Sequence, residues 1–171
     1  MSIVLLGISI GIFLPYILSS NDILIGIDAV NYYGEVHTSY LNSMVHTIFM
    51  PFTIYGMLLW IPKVFNLNIN NSIKLQNLLY TFYMTHYFIL NYKIGLLTSL
   101  YYYIPLYYAS KKYLLEYNNY VPIKGFFISF MSLTIQEVFG HWLGGDNPSR
   151  IEAIPNAILY AMYYSVHHLF V

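Results

Sequence analysis

The sequence contains a long stretch, from Val36 to Pro62, that has no Asp, Glu, Lys or Arg. Apolar stretches recur to the end of the chain, and only 8% of all residues are charged. A soluble domain carries roughly 25% charged residues, so this chain has too few charges to cover a water-facing surface. The sequence therefore predicts an all-α fold, a polytopic membrane bundle of about five to six transmembrane helices.

A helix needs about 20 apolar residues to cross the bilayer core, and six stretches approach this length. They cover residues 1–21, 44–62, 75–92, 94–110, 125–143 and 153–171. The first stretch has no charged side chain, and it lacks the basic start and the clear small-residue cleavage site of a signal peptide. We therefore interpret residues 1–21 as an N-terminal hydrophobic anchor or span, with a signal peptide as the alternative. Residues 22–171 then form one membrane domain.

Basic residues are typical of cytoplasmic loops. In a six-span arrangement, the lysine-containing loops between spans two and three and between spans four and five lie on one side. The segment 22–43 and the turn 144–150 then share the opposite side. This arrangement brings four ionisable side chains to one membrane face, namely those of His37, His46, His141 and Asp146.

The chain has six histidines and no cysteine, so disulfides and thiolate metal sites are excluded. Seven basic residues balance seven acidic ones, which does not suggest the basic face of a nucleic-acid-binding protein. Ionisable groups inside spans are costly and usually functional. Imidazoles and carboxylates are ligands that suit iron, zinc or copper. Several converging histidines therefore predict a metal site, whereas a single one at a membrane edge is more often an interfacial residue.

Helix geometry limits which histidines can cooperate. His37 and His46 are nine residues apart, about 2.5 turns of an α-helix, so on one straight helix they would point in opposite directions. Either the helix breaks between them or only one belongs to the site. The polar segment before His46 favours a break, with Asn42 as a plausible N-cap on the same face as His46. His86 is interpreted as a structural residue, with Glu137 as a candidate partner.

Two sequence blocks carry a family resemblance. The first consists of Tyr33, His37, Asn42 and His46 followed by "TIFMP", and the second of Gly140 and His141 followed by "WLGGDNP" and "SRIEAIPNAILY". Over roughly residues 22–171 the chain resembles a family of small multi-span membrane proteins. This family includes the yeast 2-hydroxy fatty acid dioxygenase of fatty-acid α-oxidation.

The resemblance implies an Fe(II)-dependent oxidoreductase that uses O2 to shorten a long-chain 2-hydroxy fatty acid by one carbon. It also implies a role in lipid catabolism and residence in the endoplasmic reticulum or an equivalent internal membrane. The expected metal ligands are His37, His46 and His141, with His168 as a further candidate. The expected catalytic or positioning residues are Tyr33, Asn42, Glu137 and Asp146. A straight last span conflicts with the expectation for His168, because it separates that residue from the turn 144–150 by about 25 Å.

Two other functions remain open from the sequence. Another histidine-rich membrane enzyme, such as a hydroxylase or desaturase, would need further clustered histidines to hold two irons, and this chain has only the adjacent pair His167 and His168. A non-enzymatic membrane protein that binds lipid or acts as a scaffold could retain the same fold.

Overall fold

In the computed structural model, which describes residues 2–19, 26–35, 37–116, 118, 120–147 and 154–170, the chain is all-helical. The α-helices are α1 (Ile3–Ser19), α2 (Gly26–Gly34), α3 (Tyr40–Val64), α4 (Ile69–Leu90), α5 (Tyr92–Glu116), α6 (Tyr120–Ile135) and α7 (Ile154–Phe170). A π-helix (Gln136–Trp142) directly continues α6. The all-α prediction is confirmed for these residues, and every apolar stretch predicted from the sequence coincides with a helix.

The short helix α2 is not predicted by the sequence pattern. It buries the side chains of Ala29, Val30 and Tyr33, which lie one to four residues apart and so share one helix face. This face packs against α7. Tertiary packing therefore explains a helix that is too short to be stable in isolation.

Helix α3 is the centre of the bundle and packs against α4, α5, α6, the π-helix and α7. Within the described part of the chain, α3 is the one helix long and apolar enough to cross a membrane. A single helix of this kind also occurs in soluble cores, so it supports membrane association only weakly. Helix α1 packs against α4.

Two prolines, Pro51 and Pro62, lie inside α3. Proline has no N–H, so each removes the donor for the carbonyl four residues earlier. The carbonyl of Thr47 instead accepts a hydrogen bond from the Tyr101 hydroxyl (2.6 Å). The carbonyl of Leu58 accepts one from the Gln76 amide (2.8 Å). Side chains of α5 and α4 thus replace both missing backbone donors and fix the neighbouring helices against α3.

Helices α3 and α6 approach closely where Gly56 faces Gly125. A Cβ atom on Gly56 would lie 2.5 Å from the carbonyl oxygen of Gly125, and one on Gly125 would lie 2.5 Å from the Cβ of Leu59. Small residues of this kind allow helix backbones to come together without a layer of side chains between them. The close contact holds the start of α6 against the C-terminal half of α3, so the π-helix that follows α6 lies against the N-terminal half.

Large apolar side chains are exposed on the outer faces of α5 and α6. On α6 they include Phe126, Phe127, Phe130 and Met131, and on α5 Leu100 and Ile104. Exposed apolar patches larger than a few hundred Å² are rare on soluble monomers and mark interaction surfaces, including membrane contacts.

Candidate metal centre

Three buried histidines from distant parts of the sequence meet at the N-terminal end of α3. One ring nitrogen from each of His37, His46 and His141 lies within 4.8 Å of the others. The ring centroids are 4.6 Å apart for His37 and His46, 4.8 Å for His37 and His141, and 5.3 Å for His46 and His141. Among the described residues these three form the group that could hold a metal ion.

The predicted helix break is what brings His37 and His46 together. Helix α3 begins at Tyr40, so His37 lies in the preceding loop and its ring turns back towards His46. The prediction that Asn42 is the N-cap is wrong, because Ser39 occupies that position and Asn42 lies buried in the first turn. The helix starts earlier because a carboxylate from elsewhere, that of Asp146, accepts from the Ser39 backbone N–H (3.0 Å).

The third ring, that of His141, belongs to the π-helix. A π-turn carries one more residue than an α-turn, so Gln136, five residues before His141, is the residue directly above it. Gln136, Gly140 and His141 are all buried. Gly140 is essential to this packing, because a Cβ atom there would lie 2.6 Å from the side-chain oxygen of Asn42. π-Turns of this kind occur frequently at functional sites.

Backbone carbonyls determine the tautomers of two of the rings. Nδ1 of His37 lies 2.7 Å from the carbonyl oxygen of Tyr33, and Nδ1 of His141 lies 2.7 Å from that of Asn147. A carbonyl can only accept, so each ring donates from Nδ1 and carries its lone pair on Nε2. Histidines that bind metals usually donate their other ring N–H to a carbonyl or carboxylate in this way.

Several nitrogens of the cluster have no protein partner. Nε2 of His37 and both ring nitrogens of His46 are buried without a hydrogen-bond partner in the described part of the chain. Each buried unsatisfied polar atom costs about 1–3 kcal/mol. The pKa of His37 is lowered to about 4, mainly by burial; the bond to the Tyr33 carbonyl acts to raise it, and the neighbouring His141 acts to lower it. His37 is therefore neutral at physiological pH, the state in which imidazole binds a metal.

Asp146 and Asn42 connect the two polar segments that carry the histidines. The Asp146 carboxylate accepts from the Thr38 hydroxyl, from the Ser39 backbone and from the Asn42 amide (2.7 Å). The same amide nitrogen of Asn42 lies 3.3 Å from Nδ1 of His141. Partial burial acts to raise the pKa of the Asp146 carboxyl, but the bonds from Thr38, Asn42 and Ser39 outweigh it and lower the pKa to about 2.

Tyr33 holds His37 in two ways. The two rings stack with centroids 4.1 Å apart and planes inclined by 15°. The backbone carbonyl of Tyr33, and not its hydroxyl, also accepts a hydrogen bond from Nδ1 of His37. The ring of Tyr33 also lines a cavity that adjoins the cluster.

Three sequence-based interpretations are changed by the structure. His168, a candidate fourth ligand, lies outside the described metal-binding group and stacks instead on Tyr164, with ring centroids 6.1 Å apart. Glu137 is exposed and also lies outside the group, because the π-turn displaces it from the face that His141 shares with Gln136. His86 pairs with the Tyr160 hydroxyl (3.1 Å) and not with Glu137.

Two contributors near the cluster are missed by sequence reasoning. The Tyr164 hydroxyl donates to the carbonyl of His37 (3.2 Å), and its ring packs at 5.1 Å from that of Tyr33. Gln136 is buried beside the cluster and donates to the Thr53 hydroxyl (2.8 Å). With 20 tyrosines in the chain, Tyr164 has no sequence signal. A buried glutamine in an otherwise apolar span is a signal that could have identified Gln136.

An apolar cavity of about 430 Å³ begins at the histidines. His37 and His46 line one end, and the walls come from α3, α4, α5, α6 and α7. Three of the lining side chains are exposed at the outer surface, those of Leu133, Glu137 and Ile158. They place the opening of the cavity between the end of α6 and α7. The cluster is therefore reached from an apolar chamber.

No protein-family model, curated protein or solved structure matches this chain. The functional assignment therefore depends on the cluster and the cavity.

Proposed function

We propose that the chain is a membrane-embedded, Fe(II)-dependent dioxygenase that shortens long-chain 2-hydroxy fatty acids by one carbon. The observation that carries this proposal is the position of three buried imidazoles at one end of an apolar cavity. A 2-hydroxy fatty acid has the matching division into a polar head and a long apolar tail. The reaction balances without a reductant, because one O2 accepts four electrons as the acid yields a shorter acid, CO2 and water.

The residues of the cluster fit an iron ion. The unpartnered nitrogens of His37 and His46 and the lone pair of His141 supply three ligands, and the carbonyls of Tyr33 and Asn147 orient two of the rings. Imidazole ligands suit iron as well as zinc and copper, and ferrous iron held here with positions left open would supply the chemistry of O2. Both ring nitrogens of His46 lack a described partner, whereas His86, outside the cluster, keeps one hydrogen bond through Nε2.

The protein's own groups would position the substrate. The apolar walls of the cavity would hold the acyl chain and exclude water from the cluster, while the carboxylate and the 2-hydroxyl group remain at the histidine end. Asp146 and Asn42 would maintain the spacing between the His37 loop and the segment after the π-helix, because the Asp146 carboxylate accepts from the Ser39 backbone and from the Asn42 amide. Glu137, at the mouth of the cavity, is the acidic group closest to an entering substrate among the described lining residues.

We further propose that α1, α3, α4, α5, α6 with its π-helix, and α7 each cross the bilayer. The exposed apolar side chains of α5 and α6 support this arrangement, since lipid would cover them. The cavity mouth between α6 and α7 would then open towards the acyl chains of the membrane. Substrate could enter laterally, and in a eukaryotic cell the endoplasmic reticulum or an equivalent internal membrane is the expected location.

Metal content and turnover test this proposal. The full chain is purified in mild detergent without added metal, and iron, zinc and copper are measured per chain. We expect about one iron per chain, and O2 uptake with 2-hydroxypalmitate that chelators abolish and Fe(II) restores. His37→Ala and His46→Ala should remove both properties. Normal turnover in His46→Ala would contradict the proposal.

The alternative is a non-enzymatic protein that binds lipid in the same cavity. It predicts a folded chain that carries lipid but neither binds iron nor consumes O2. The same preparation therefore separates the two functions, because lipid bound during purification can be identified independently of metal and turnover.

A further inference from the structure

The cavity extends along α3 far beyond the histidine cluster. Seven α3 residues line it, and five of them recur every three or four positions, as one helix face requires, namely His46, Met50, Thr53, Met57 and Ile61. At 1.5 Å per residue, the distance from His46 to Ile61 is about 22 Å. One leaflet contributes about 15 Å of hydrocarbon, half of the bilayer core. The cavity is thus long enough for most of an extended acyl chain.

The shape of the cavity favours a single unbranched chain. A volume of about 430 Å³ spread over that length leaves no room for ring systems lying side by side. Its walls are mostly apolar, and the Gln136 amide nitrogen is engaged with the Thr53 hydroxyl by a hydrogen bond. Apart from the histidine nitrogens, the Gln136 side-chain oxygen and the Tyr102 hydroxyl are the lining polar atoms that are buried without a described partner. An occupant deep in the cavity therefore finds dispersion contacts and few polar partners.

The far end of the cavity is held rigidly. Leu58, Gln76 and Leu106 line it there and are all buried. Gln76 donates to the carbonyl of Leu58 and accepts from the Ser110 hydroxyl (2.9 Å), so three helices are tied together at this point. Lining side chains fixed in this way cannot easily move to make room for a longer ligand, because well-packed interiors resist extra volume.

We infer that Ile61 and Leu106, at the floor of the cavity, set the maximum length of the acyl chain that the protein accepts. This inference rests on the proposed function in placing the polar head of the acid at the histidines. Chains that are too short to reach the floor gain contacts with each added methylene. Chains longer than the cavity must either withdraw their heads from the histidines or leave the cavity.

The test measures binding along a homologous series of saturated 2-hydroxy fatty acids and of the matching unhydroxylated acids. Competition binding is measured on the intact, detergent-solubilised chain. Affinity should rise by about fourfold per methylene, as the burial of a CH₂ group predicts, and should fall beyond one chain length. Ile61→Trp should move this maximum to shorter acids. Ile48→Trp is the matched control, since Ile48 lies on the same helix, is 50% exposed and does not line the cavity.

Ile61→Ala is the second variant, and it moves the maximum in the opposite direction, to longer acids. It keeps the test decisive if the tryptophan variant does not fold. A maximum that stays in place in the folded Ile61 variants, or that moves equally in Ile48→Trp, overturns the inference, as does affinity that is independent of chain length. Because binding is measured without turnover, a normal length profile in a protein without iron or O2 uptake refutes the proposed function alone.

Discussion

The two proline turns of α3 and the histidine cluster at its N-terminal end differ in how their buried polar atoms are satisfied. Each carbonyl that loses its helical donor to Pro51 or Pro62 receives a side-chain donor, from Tyr101 for Thr47, next to His46, and from Gln76 for Leu58 towards the C-terminal end. At the N-terminal end, ring nitrogens of His37 and His46 are buried without any described partner. The chain thus supplies donors to these carbonyls of α3 and leaves ring nitrogens of His37 and His46 without a described partner, in a group that could hold a metal ion.

The largest expected effect comes from removing an imidazole. His46→Leu should lower metal affinity by more than about 100-fold, the upper limit for residues that only orient ligands. The metal-free variant should be at least as stable as the metal-free wild type, because two unsatisfied nitrogens disappear. Metal titration and thermal unfolding measure the two effects.

His86→Leu is the matched control for that experiment. His86 is also buried in the bundle, but it pairs with Tyr160. The His86→Leu variant should keep metal binding, and its free energy of unfolding should fall. Equal loss of metal in both variants would mean that the cluster is not the binding site.

Gln76→Leu should have the next largest effect, towards the C-terminal end of α3. The carbonyl of Leu58 would lose its donor, and the free energy of unfolding should fall by about 1–2 kcal/mol. Metal affinity should stay unchanged. In a Pro62→Ala background the helix regains the missing N–H, so the same substitution should cost clearly less. An identical loss of unfolding free energy in both backgrounds would show that the Leu58 carbonyl does not account for the effect of Gln76→Leu.

Asp146→Asn should weaken the connection between the His37 loop and the π-helix. The substitution replaces one of the two accepting carboxylate oxygens by an NH2 group, which is a donor and so conflicts with the donors of Thr38, Ser39 and Asn42. We expect metal affinity to fall about tenfold, or about 1.4 kcal/mol, with the helix content preserved. Glu116→Gln, which changes an exposed acid on α5, is the control and should leave metal affinity unaltered.

Tyr101→Phe should have the smallest effect. It removes only the hydroxyl that bonds the Thr47 carbonyl, at a partly exposed position, so the loss of unfolding free energy should be about 0.5–1 kcal/mol. Tyr103→Phe, on the exposed side of the same helix, should be neutral. A double-mutant cycle with Pro51→Ala isolates the interaction, because the restored amide makes the tyrosine hydroxyl dispensable.

The helical segments and the approach of His37 to His46 are predictable from the sequence because they depend on local signals. The position of His141 beside them is expected only from the six-span arrangement and the family resemblance. Long apolar runs predict helices, and the polar segment before His46 predicts the break that lets two rings converge. Asn42 shows the limit of that reasoning. Its residue type suits an N-cap, but Asp146, more than 100 residues away, stabilises the helix start and moves it to Ser39.

The π-helix could not be predicted, nor could the side-chain donors that replace the backbone N–H groups missing at Pro51 and Pro62. A π-turn leaves no periodic signature, so Glu137 appears to share a face with His141 when Gln136 is the residue that does. Gln76 and Tyr101 bind carbonyls on a different helix, and such contacts depend on how the helices are arranged in space. His168 illustrates the same dependence, since its position on α7 decides that it stacks on Tyr164.

The π-helix also suggests how such a cluster can arise or vanish in evolution. It amounts to one inserted residue in an otherwise ordinary helix, and the wider turn absorbs the rotation of about 100° that an extra residue would cause in a regular α-helix. Deleting a single codon between Gln136 and Gly140 would leave Gln136 and the His141 side chain four residues apart on a regular helix, where they would still share a face. One small genetic event of this kind would therefore change the width of the turn beside the histidines and need not disturb the rest of the bundle.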